Sequence, residues 1–190
     1  MDIEEILENI PDKREWKSTT SLKFKRDLYS FFKDMELDAS KVVELGTHRG
    51  YTTRVLSLLF EEVITYDIVD DPYSKEFNKD RDNITYRYQD IYKSPWWEEC
   101  IGASVVFIDA DHNYEEVKKD IENTLKIKDV CYMVFDDYGL FPSVKNAVTE
   151  SMKKHWPKIK PAGYVGEEPG SECRIGKILE DWEGLVCKIE

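Results

Sequence analysis

Acidic side chains directly follow two uninterrupted apolar runs of the chain. Asp109 and Asp111 come after the run SVVFI, and Asp136 and Asp137 come after the run VCYMVF. If the two runs form neighbouring strands, these four carboxylates crowd together, which costs free energy unless a cation neutralises them. Carboxylate oxygens are hard ligands and favour Mg²⁺, Mn²⁺ or Ca²⁺ over zinc. The pattern therefore indicates a divalent metal site at the ends of two strands.

A glycine turn between a short apolar run and a helix-like segment forms a second candidate site. Gly46 and Gly50 lie in this turn, and glycine lets the backbone bend tightly and approach a ligand closely. The helix that follows presents free N–H groups and its positive dipole end, which suit a carboxylate or a phosphate. The dinucleotide fingerprint G-x-G-x-x-G is not met, because His48 and Tyr51 occupy the positions of its second and third glycines.

Two further acids end the next two predicted strands. Asp67 ends the second strand, where a carboxylate can accept hydrogen bonds from both ribose hydroxyls of an adenosine. Asp90 ends the third strand and is followed by Ile91. An acid at this place can accept a hydrogen bond from an adenine amino group, while the aliphatic side chain packs on the ring. These positions indicate a ligand that contains adenosine.

Alternating strands and helices would bring all of these residues to one edge of a sheet. The predicted strands are 41–45, 62–66, 84–89, 104–108, 130–135, 162–165, 174–179 and 185–189, and the predicted helices are 2–10, 20–35, 50–60, 114–125 and 143–155. Uninterrupted apolar strands are typical of parallel sheets with helices on both faces. The pattern predicts a Rossmann-like, doubly wound α/β sheet, mostly parallel, with an antiparallel C-terminal end. In such sheets ligands bind beyond the carboxyl ends of the strands.

The composition is that of one acidic domain. The 190 residues suit a single core, with an N-terminal helical extension over 1–37 and a Rossmann-like core over 41–190. The net charge of −12 argues against nucleic acids and anionic membranes as partners. The segment 1–12 lacks the apolar core of a signal peptide, and no run reaches the ~20 apolar residues of a membrane span. The four cysteines form no C-x-x-C pair, which favours reduced thiols in a cytoplasmic protein.

The glycine turn resembles the first motif of the class I S-adenosylmethionine-dependent methyltransferases. Residues 44–52 read ELGTHRGYT and are especially similar to the catechol-type, metal-dependent O-methyltransferases. In that family the loop holds the methionine end of the cofactor. The resemblance implies that the following residues bind S-adenosylmethionine: Glu44, Gly46, His48, Gly50, Thr52, Asp67, Asp90 and Ile91. Among them, His48 and Thr52 would contact the carboxylate, Asp67 the ribose, and Asp90 and Ile91 the adenine.

The acid-rich stretch after the fourth predicted strand resembles a second branch of the same class. Residues 107–114 read FIDADHNY and are similar to the I-D-G-D-H-x-Y signature of the macrocin-type sugar O-methyltransferases, except that alanine replaces the glycine. The resemblance implies that Asp109, Asp136 and Asp137 hold the metal. The base of these families lies two or three residues after the first ligand, which leaves Asp111 and His112 as the candidates.

The resemblance implies a methyltransferase that acts on a hydroxyl of a small acceptor, either a sugar or a phenol- or catechol-like molecule, with help from Mg²⁺ or Mn²⁺. Coordination would lower the pKa of the hydroxyl and a base would remove its proton. The alternatives are an NAD-type or cephalosporin hydroxylase-like oxidoreductase on the same fold, and a non-catalytic cofactor-binding protein. The unmet dinucleotide fingerprint argues against NAD, and the intact acid set argues against a non-catalytic protein. A homo-oligomer is compatible with the sequence, because another subunit could complete the acceptor pocket.

Overall fold

The computed structural model describes residues 3–10, 19–37, 40–173 and 176–190. Within these ranges the helices are α1 (Ile3–Leu7), α2 (Leu22–Phe32), α3 (Tyr51–Leu59), α4 (Pro72–Phe77), α5 (Tyr114–Thr124) and α6 (Pro142–Lys154). The strands are β1 (Lys41–Leu45), β2 (Glu62–Asp67), β3 (Ile84–Tyr88), β4 (Val105–Ile108), β5 (Tyr132–Phe135), β6 (Ile159–Val165) and β7 (Gly184–Ile189). A short 3₁₀ turn over Trp96–Cys100 precedes β4.

The seven strands form one sheet in the order β3-β2-β1-β4-β5-β7-β6. Strands β1 to β5 pair in parallel, whereas β7 runs antiparallel between β5 and β6. From β1 the chain adds β2 and β3 on one side of the sheet, and it then crosses to the other side of β1 to form β4 and β5. Doubly wound sheets bind their ligands at this switch point. The register sets Leu45 beside Tyr66 and Ile108, and Ile108 beside Phe135. The carboxyl ends of four parallel strands therefore meet at one edge of the sheet.

Helices cover both faces of the sheet because its central strands are apolar on both sides. Val43 and Val106 face a core that α5 and α6 complete, whereas Val42 and Val105 face a core that α2 and α3 complete. Consecutive strand residues point to opposite faces, so uninterrupted apolar runs are needed to fill two cores at once. The predicted fold class, a mostly parallel doubly wound sheet, is confirmed.

Several predicted elements differ from the structure in extent. The strand predicted over 174–179 is wrong in the part that the structure describes, where Glu172 and Ile178 form only an isolated bridge. Leu179 instead packs with Leu140 and Cys173 in a small cluster apart from the sheet. Helix α4 was not predicted, because its six residues are too few for a periodic pattern; it begins at a cap in which Asp71 accepts a hydrogen bond from the backbone of Tyr73 at 2.9 Å.

The start of helix α2 is hydrogen-bonded to a residue near the C-terminal end of the chain. Ser21 caps this helix, and its backbone N–H and hydroxyl both donate to the carboxylate of Glu183, at 2.8 and 2.5 Å. The buried amine of Lys25 donates to the hydroxyl of Thr19 at 3.1 Å and to the carbonyl of Thr20 at 2.8 Å. These bonds hold Thr19 and Thr20 in place beside the carboxyl edge of the sheet.

Candidate active site

Two adjoining cavities lie at the carboxyl edge of the sheet. The larger has a volume of about 420 Å³ and the smaller about 240 Å³, and Gly46, Asp67 and Ala110 line both. The larger cavity extends to Thr52 and to Phe141. An elongated ligand that crosses the glycine turn therefore has room on both sides of it, which is the arrangement that an adenosine with a long 5′ substituent requires.

The glycine turn lies so close to the next strand that a side chain does not fit. A Cβ atom on Gly46 would meet the carbonyl oxygen of Asp109 at 2.2 Å, and Gly46 has φ = +103°. Gly50 begins α3 at φ = 74°, and a Cβ there would lie 2.7 Å from the side-chain nitrogen of Asn78. Both positions need glycine for its positive φ and for its lack of a side chain. The predicted cradle is present at the end of β1.

Asp67 lies at the junction of the two cavities and is held by backbone donors. One carboxylate oxygen accepts from the N–H of His48 at 2.8 Å, and the other accepts from the N–H of Val69 at 2.9 Å. His48 reaches this position with φ = 44°, in the left-handed region. Ionised carboxylates accept up to about four hydrogen bonds. Asp67 can therefore also accept from the ribose hydroxyls of an adenosine.

The smaller cavity has an apolar floor and polar walls. Ile91 is 7% exposed beneath it, while Ile68 is 72% exposed at its mouth, where a planar ring could cover it. Asp90 lines the same cavity and accepts from the backbone of Tyr92 at 3.0 Å, with Lys93 at 2.8 Å. The sequence reasoning found Asp90 and Ile91 but missed Ile68 and Tyr92. Ile68 could have been found from the sequence, because it directly follows Asp67.

Tyr92 is anchored from below by a buried acid. Its hydroxyl donates to Asp120 at 3.1 Å, and Asp120 is fully buried within α5. Burial raises the pKa of the Asp120 carboxyl to about 8, although the Tyr92 hydroxyl opposes the shift. The pair fixes the Tyr92 ring against one wall of the smaller cavity.

Glu44 supports the glycine turn from inside the fold. Its carboxylate is fully buried and accepts from the hydroxyls of Thr53 at 2.6 Å and Thr65 at 2.5 Å. Burial raises the pKa of Glu44 to about 8, although these two hydrogen bonds oppose the shift. The residue was predicted to bind the cofactor, but its side chain lies behind the turn and joins β1, β2 and α3.

At the ends of β4 and β5, an imidazole lies between two carboxylates. Nε2 of His112 is 2.8 Å from a carboxylate oxygen of Asp137 and 3.5 Å from one of Asp109. Burial by itself would lower the pKa of His112, but the two carboxylates outweigh it and raise the pKa to about 10. One ligand atom from each residue lies within 4.8 Å of the other two. This spacing fits a divalent cation, so the residues present suit the metal that the sequence implies.

The remaining predicted residues of this region are not among the three whose ligand atoms converge. Asp136 is 2% exposed and follows β5 directly, and it is not one of the three residues whose ligand atoms converge. Asp111 accepts from the backbone of Asn113 at 2.7 Å and lines the smaller cavity rather than the larger. His112, by contrast, lines the larger cavity together with Asp109. The two candidate bases therefore face different cavities.

The larger cavity is also lined by residues that sequence reasoning missed. Phe141 stacks on the imidazole of His112, with ring centroids 4.6 Å apart and planes 20° apart. Thr20 lies across the larger cavity, 3.5 Å from the hydroxyl of Thr52. Thr19 and Phe141 come from distant parts of the chain and carry no recognisable motif. Only the packing of α2 and α6 onto the sheet brings them to this cavity.

A methyltransferase-domain family model matches residues 43–138, just over half of the chain. This chain belongs to that methyltransferase family. The match spans β1 to the end of β5 and includes both the glycine turn and the acids after β4 and β5. The methyltransferase is accordingly a class I enzyme that uses S-adenosylmethionine, and the adjoining cavities fit such a cofactor. No curated protein sequence matches it significantly.

Solved structures of several methyltransferases share the fold. A proposed O-methyltransferase from Klebsiella pneumoniae is 16% identical, with a TM-score of 0.63 over 98% of this chain and 88% of that one. A tRNA (m1A58) methyltransferase from Aquifex aeolicus is 14% identical, with a TM-score of 0.66 over 100% and 76% of the two chains. A proposed methyltransferase from Streptococcus mutans, in complex with SAH, is 11% identical, with a TM-score of 0.65 over 87% and 97%. At these identities the likeness establishes the fold alone.

No helix of the methyltransferase within the described ranges is long and apolar enough to cross a membrane.

Proposed function

We propose that this methyltransferase transfers a methyl group from S-adenosylmethionine to a hydroxyl of a small acceptor, with help from a divalent cation such as Mg²⁺ or Mn²⁺. The observation that carries the proposal is the convergence of Asp109, His112 and Asp137, of which Asp109 and His112 line the larger cavity beside the glycine turn. We treat residues 1–190 as one domain, with the N-terminal helices packed on the core.

The cofactor would lie across the glycine turn. Its methionine end would occupy the larger cavity near His48 and Thr52, where the start of α3 offers free N–H groups to the carboxylate. Its ribose would lie against Asp67, and its adenine would enter the smaller cavity between Ile68 and Ile91. This orientation places the reactive methyl group on the side of the larger cavity, towards Asp109.

The acceptor would occupy the rest of the larger cavity. A divalent cation held by the converging side chains would polarise the acceptor hydroxyl and lower its pKa. Phe141 and the hydroxyls of Thr19 and Thr20 would contact the remainder of the acceptor. Of the two residues that the sequence offered as the base, His112 borders this cavity and Asp111 borders the other.

A small acceptor fits the electrostatics better than a nucleic acid does. The net charge of −12 repels phosphates, and the proposed acceptor cavity is bordered by two carboxylates. Some structural neighbours are RNA methylases, so the acceptor class needs a direct test.

The test is methyl transfer from radiolabelled S-adenosylmethionine to a panel of sugars, phenols, catechols and RNA, each with Mg²⁺, with Mn²⁺ and in excess EDTA. We expect label in at least one hydroxylated small molecule, in a metal-dependent manner. Calorimetry of S-adenosylhomocysteine with and without EDTA serves as the control, and we expect binding in both. Label in RNA alone, or undiminished transfer in EDTA, would contradict the proposal.

A further inference from the structure

Three possible donor atoms from two loops lie within 4.8 Å of one another at the edge of the sheet. They are a carboxylate oxygen of Asp109, Nε2 of His112 and a carboxylate oxygen of Asp137. Nε2 is buried, and although it lies 2.8 Å from Asp137 it is not aligned for a hydrogen bond with any described residue. The imidazole therefore points its reactive nitrogen at the same place as the two carboxylates.

The two distances from the imidazole nitrogen to the carboxylates are close to those between donors around a bound ion. Metal–ligand bonds of about 2.1 Å place adjacent donors of an octahedral shell about 3 Å apart. His112 Nε2 already lies 2.8 Å from one carboxylate oxygen and 3.5 Å from the other. A general base needs its free nitrogen to face the acceptor, whereas this nitrogen faces the carboxylates.

The imidazole is also held in this orientation by its surroundings. The ring of Phe141 stacks on it at 4.6 Å, and the hydroxyl of Ser143 donates to the carbonyl of His112 at 2.6 Å. Asp137 adopts φ = 59°, a left-handed conformation that directs the chain away from the line of β5. Fixed side chains of this kind are what a preorganised metal site requires.

We propose that His112 is a direct metal ligand through Nε2, which makes the site a three-donor set of one imidazole and two carboxylates. This inference rests on the proposed function, because it concerns the same metal site. Metal binding can nevertheless be measured without an acceptor. Imidazole suits Fe²⁺, Co²⁺ and Zn²⁺ best, Mn²⁺ accepts it beside oxygen ligands, and Mg²⁺ prefers oxygen ligands alone. The site is therefore selective for imidazole-binding transition ions over Mg²⁺, and its remaining coordination positions face the larger cavity.

The first experiment needs no variant. The protein is loaded with Mn²⁺ and pulsed electron paramagnetic resonance is recorded, in which a directly bound imidazole nitrogen modulates the echo. We expect nitrogen coupling of this kind. A Mn²⁺ signal without it would overturn the assignment of His112 as a ligand.

A second experiment measures affinity and selectivity by titrating Co²⁺, Mn²⁺ and Mg²⁺ separately. We expect His112→Ala to weaken Co²⁺ by at least ~100-fold, since even indirect partners of a site cost 10- to 100-fold. We expect His112→Asp, which restores an all-oxygen set, to shift the preference towards Mg²⁺. Asp109→Ala is the positive control. His155→Ala is the matched negative control, because the imidazole of His155, at the end of α6, pairs with Glu122 of α5 and not with the proposed site.

The outcomes separate this inference from the proposed function. Undiminished Co²⁺ affinity in a folded His112→Ala protein, verified by its melting curve, would refute the ligand role, as would tighter binding of Mg²⁺ than of Mn²⁺ by the unmodified chain. If instead Co²⁺ binds through His112 but no hydroxylated acceptor is ever methylated, the proposed function fails and the metal site stands.

Discussion

The proposed cofactor side and the proposed metal side of this methyltransferase use their acids in different ways. On the cofactor side, Asp67 accepts from the backbone of His48 and Val69, and Asp90 accepts from the backbone of Tyr92. On the metal side, Asp109 and Asp137 come from loops that follow different strands and face one imidazole.

The two arrangements are stabilised by different parts of the fold. Asp90 is oriented by its own turn, whereas Asp67 is oriented both by its own turn and by the backbone of His48 in the neighbouring glycine turn. The carboxylates of the metal side are brought together by the pairing of Ile108 with Phe135 in the sheet. We therefore expect changes on one side to leave the other side's ligand binding largely intact, except where the two sides touch.

The largest effect is expected from removing an acid of the metal side. Asp109→Ala should lower kcat/KM by about 10³-fold, because a bound metal contributes several kcal/mol of transition-state stabilisation. The affinity for S-adenosylhomocysteine should change little, since its contacts lie mostly on other strands. Kinetics and calorimetry on the same preparation measure both, with the exposed Glu115→Ala as control. Equal loss of cofactor affinity would show that the two sides are not separable.

The next largest effect is expected where the sides touch. Gly46→Ala would push a methyl group against the carbonyl of Asp109 and force alanine into φ = +103°. It should destabilise the fold by ~2–3 kcal/mol and weaken both metal and cofactor binding. Thermal melting and the two titrations measure this. A variant that loses only cofactor affinity would mean that the turn can move without disturbing β4.

A smaller effect is expected from the cofactor side alone. Asp67→Ala should weaken S-adenosylhomocysteine by roughly 1–3 kcal/mol through lost charge-assisted hydrogen bonds, with Co²⁺ affinity retained. Asp70→Ala is the matched control, because Asp70 lies in the same loop but pairs with Lys75. Calorimetry distinguishes the two. Equal affinity of the two variants for S-adenosylhomocysteine would show that Asp67 does not contribute to cofactor binding.

The smallest effect on ligand binding is expected from the acid behind the glycine turn, which acts on stability instead. The folded pKa of Glu44 is about 8, against 4.5 ordinarily, so the folded state keeps a proton that the unfolded state releases. Stability should therefore fall as pH rises from about 5 to about 8, by up to ~1.4 kcal/mol per pH unit from this group. Urea unfolding at pH 6 and 8 should show a smaller loss for Glu44→Gln than for the unmodified chain. The exposed Glu61→Gln should leave the slope unchanged, and an equal slope in Glu44→Gln would refute the assignment.

The sequence by itself determined the sheet and the general place of the site. Uninterrupted apolar runs predict β4 and β5, because strands buried on both faces are largely apolar, and a shorter apolar run predicts β1. Acids and glycines directly after those runs predict ligand-binding loops, because the ends of parallel strands meet at one edge. These features depend on residues that are neighbours in the sequence, so they can be predicted from the sequence alone.

Only the tertiary structure decided which acids face each other. Asp136 and Asp137 are adjacent in sequence, but the chain leaves the line of β5 at Asp137, where φ = 59°, and Asp137 is the one that meets His112. In the same way, Asp111 and His112 lie beside different cavities. Thr20 and Phe141 join the site through the packing of distant helices. A spacing in sequence does not specify a direction in space, and direction decides which residues act together.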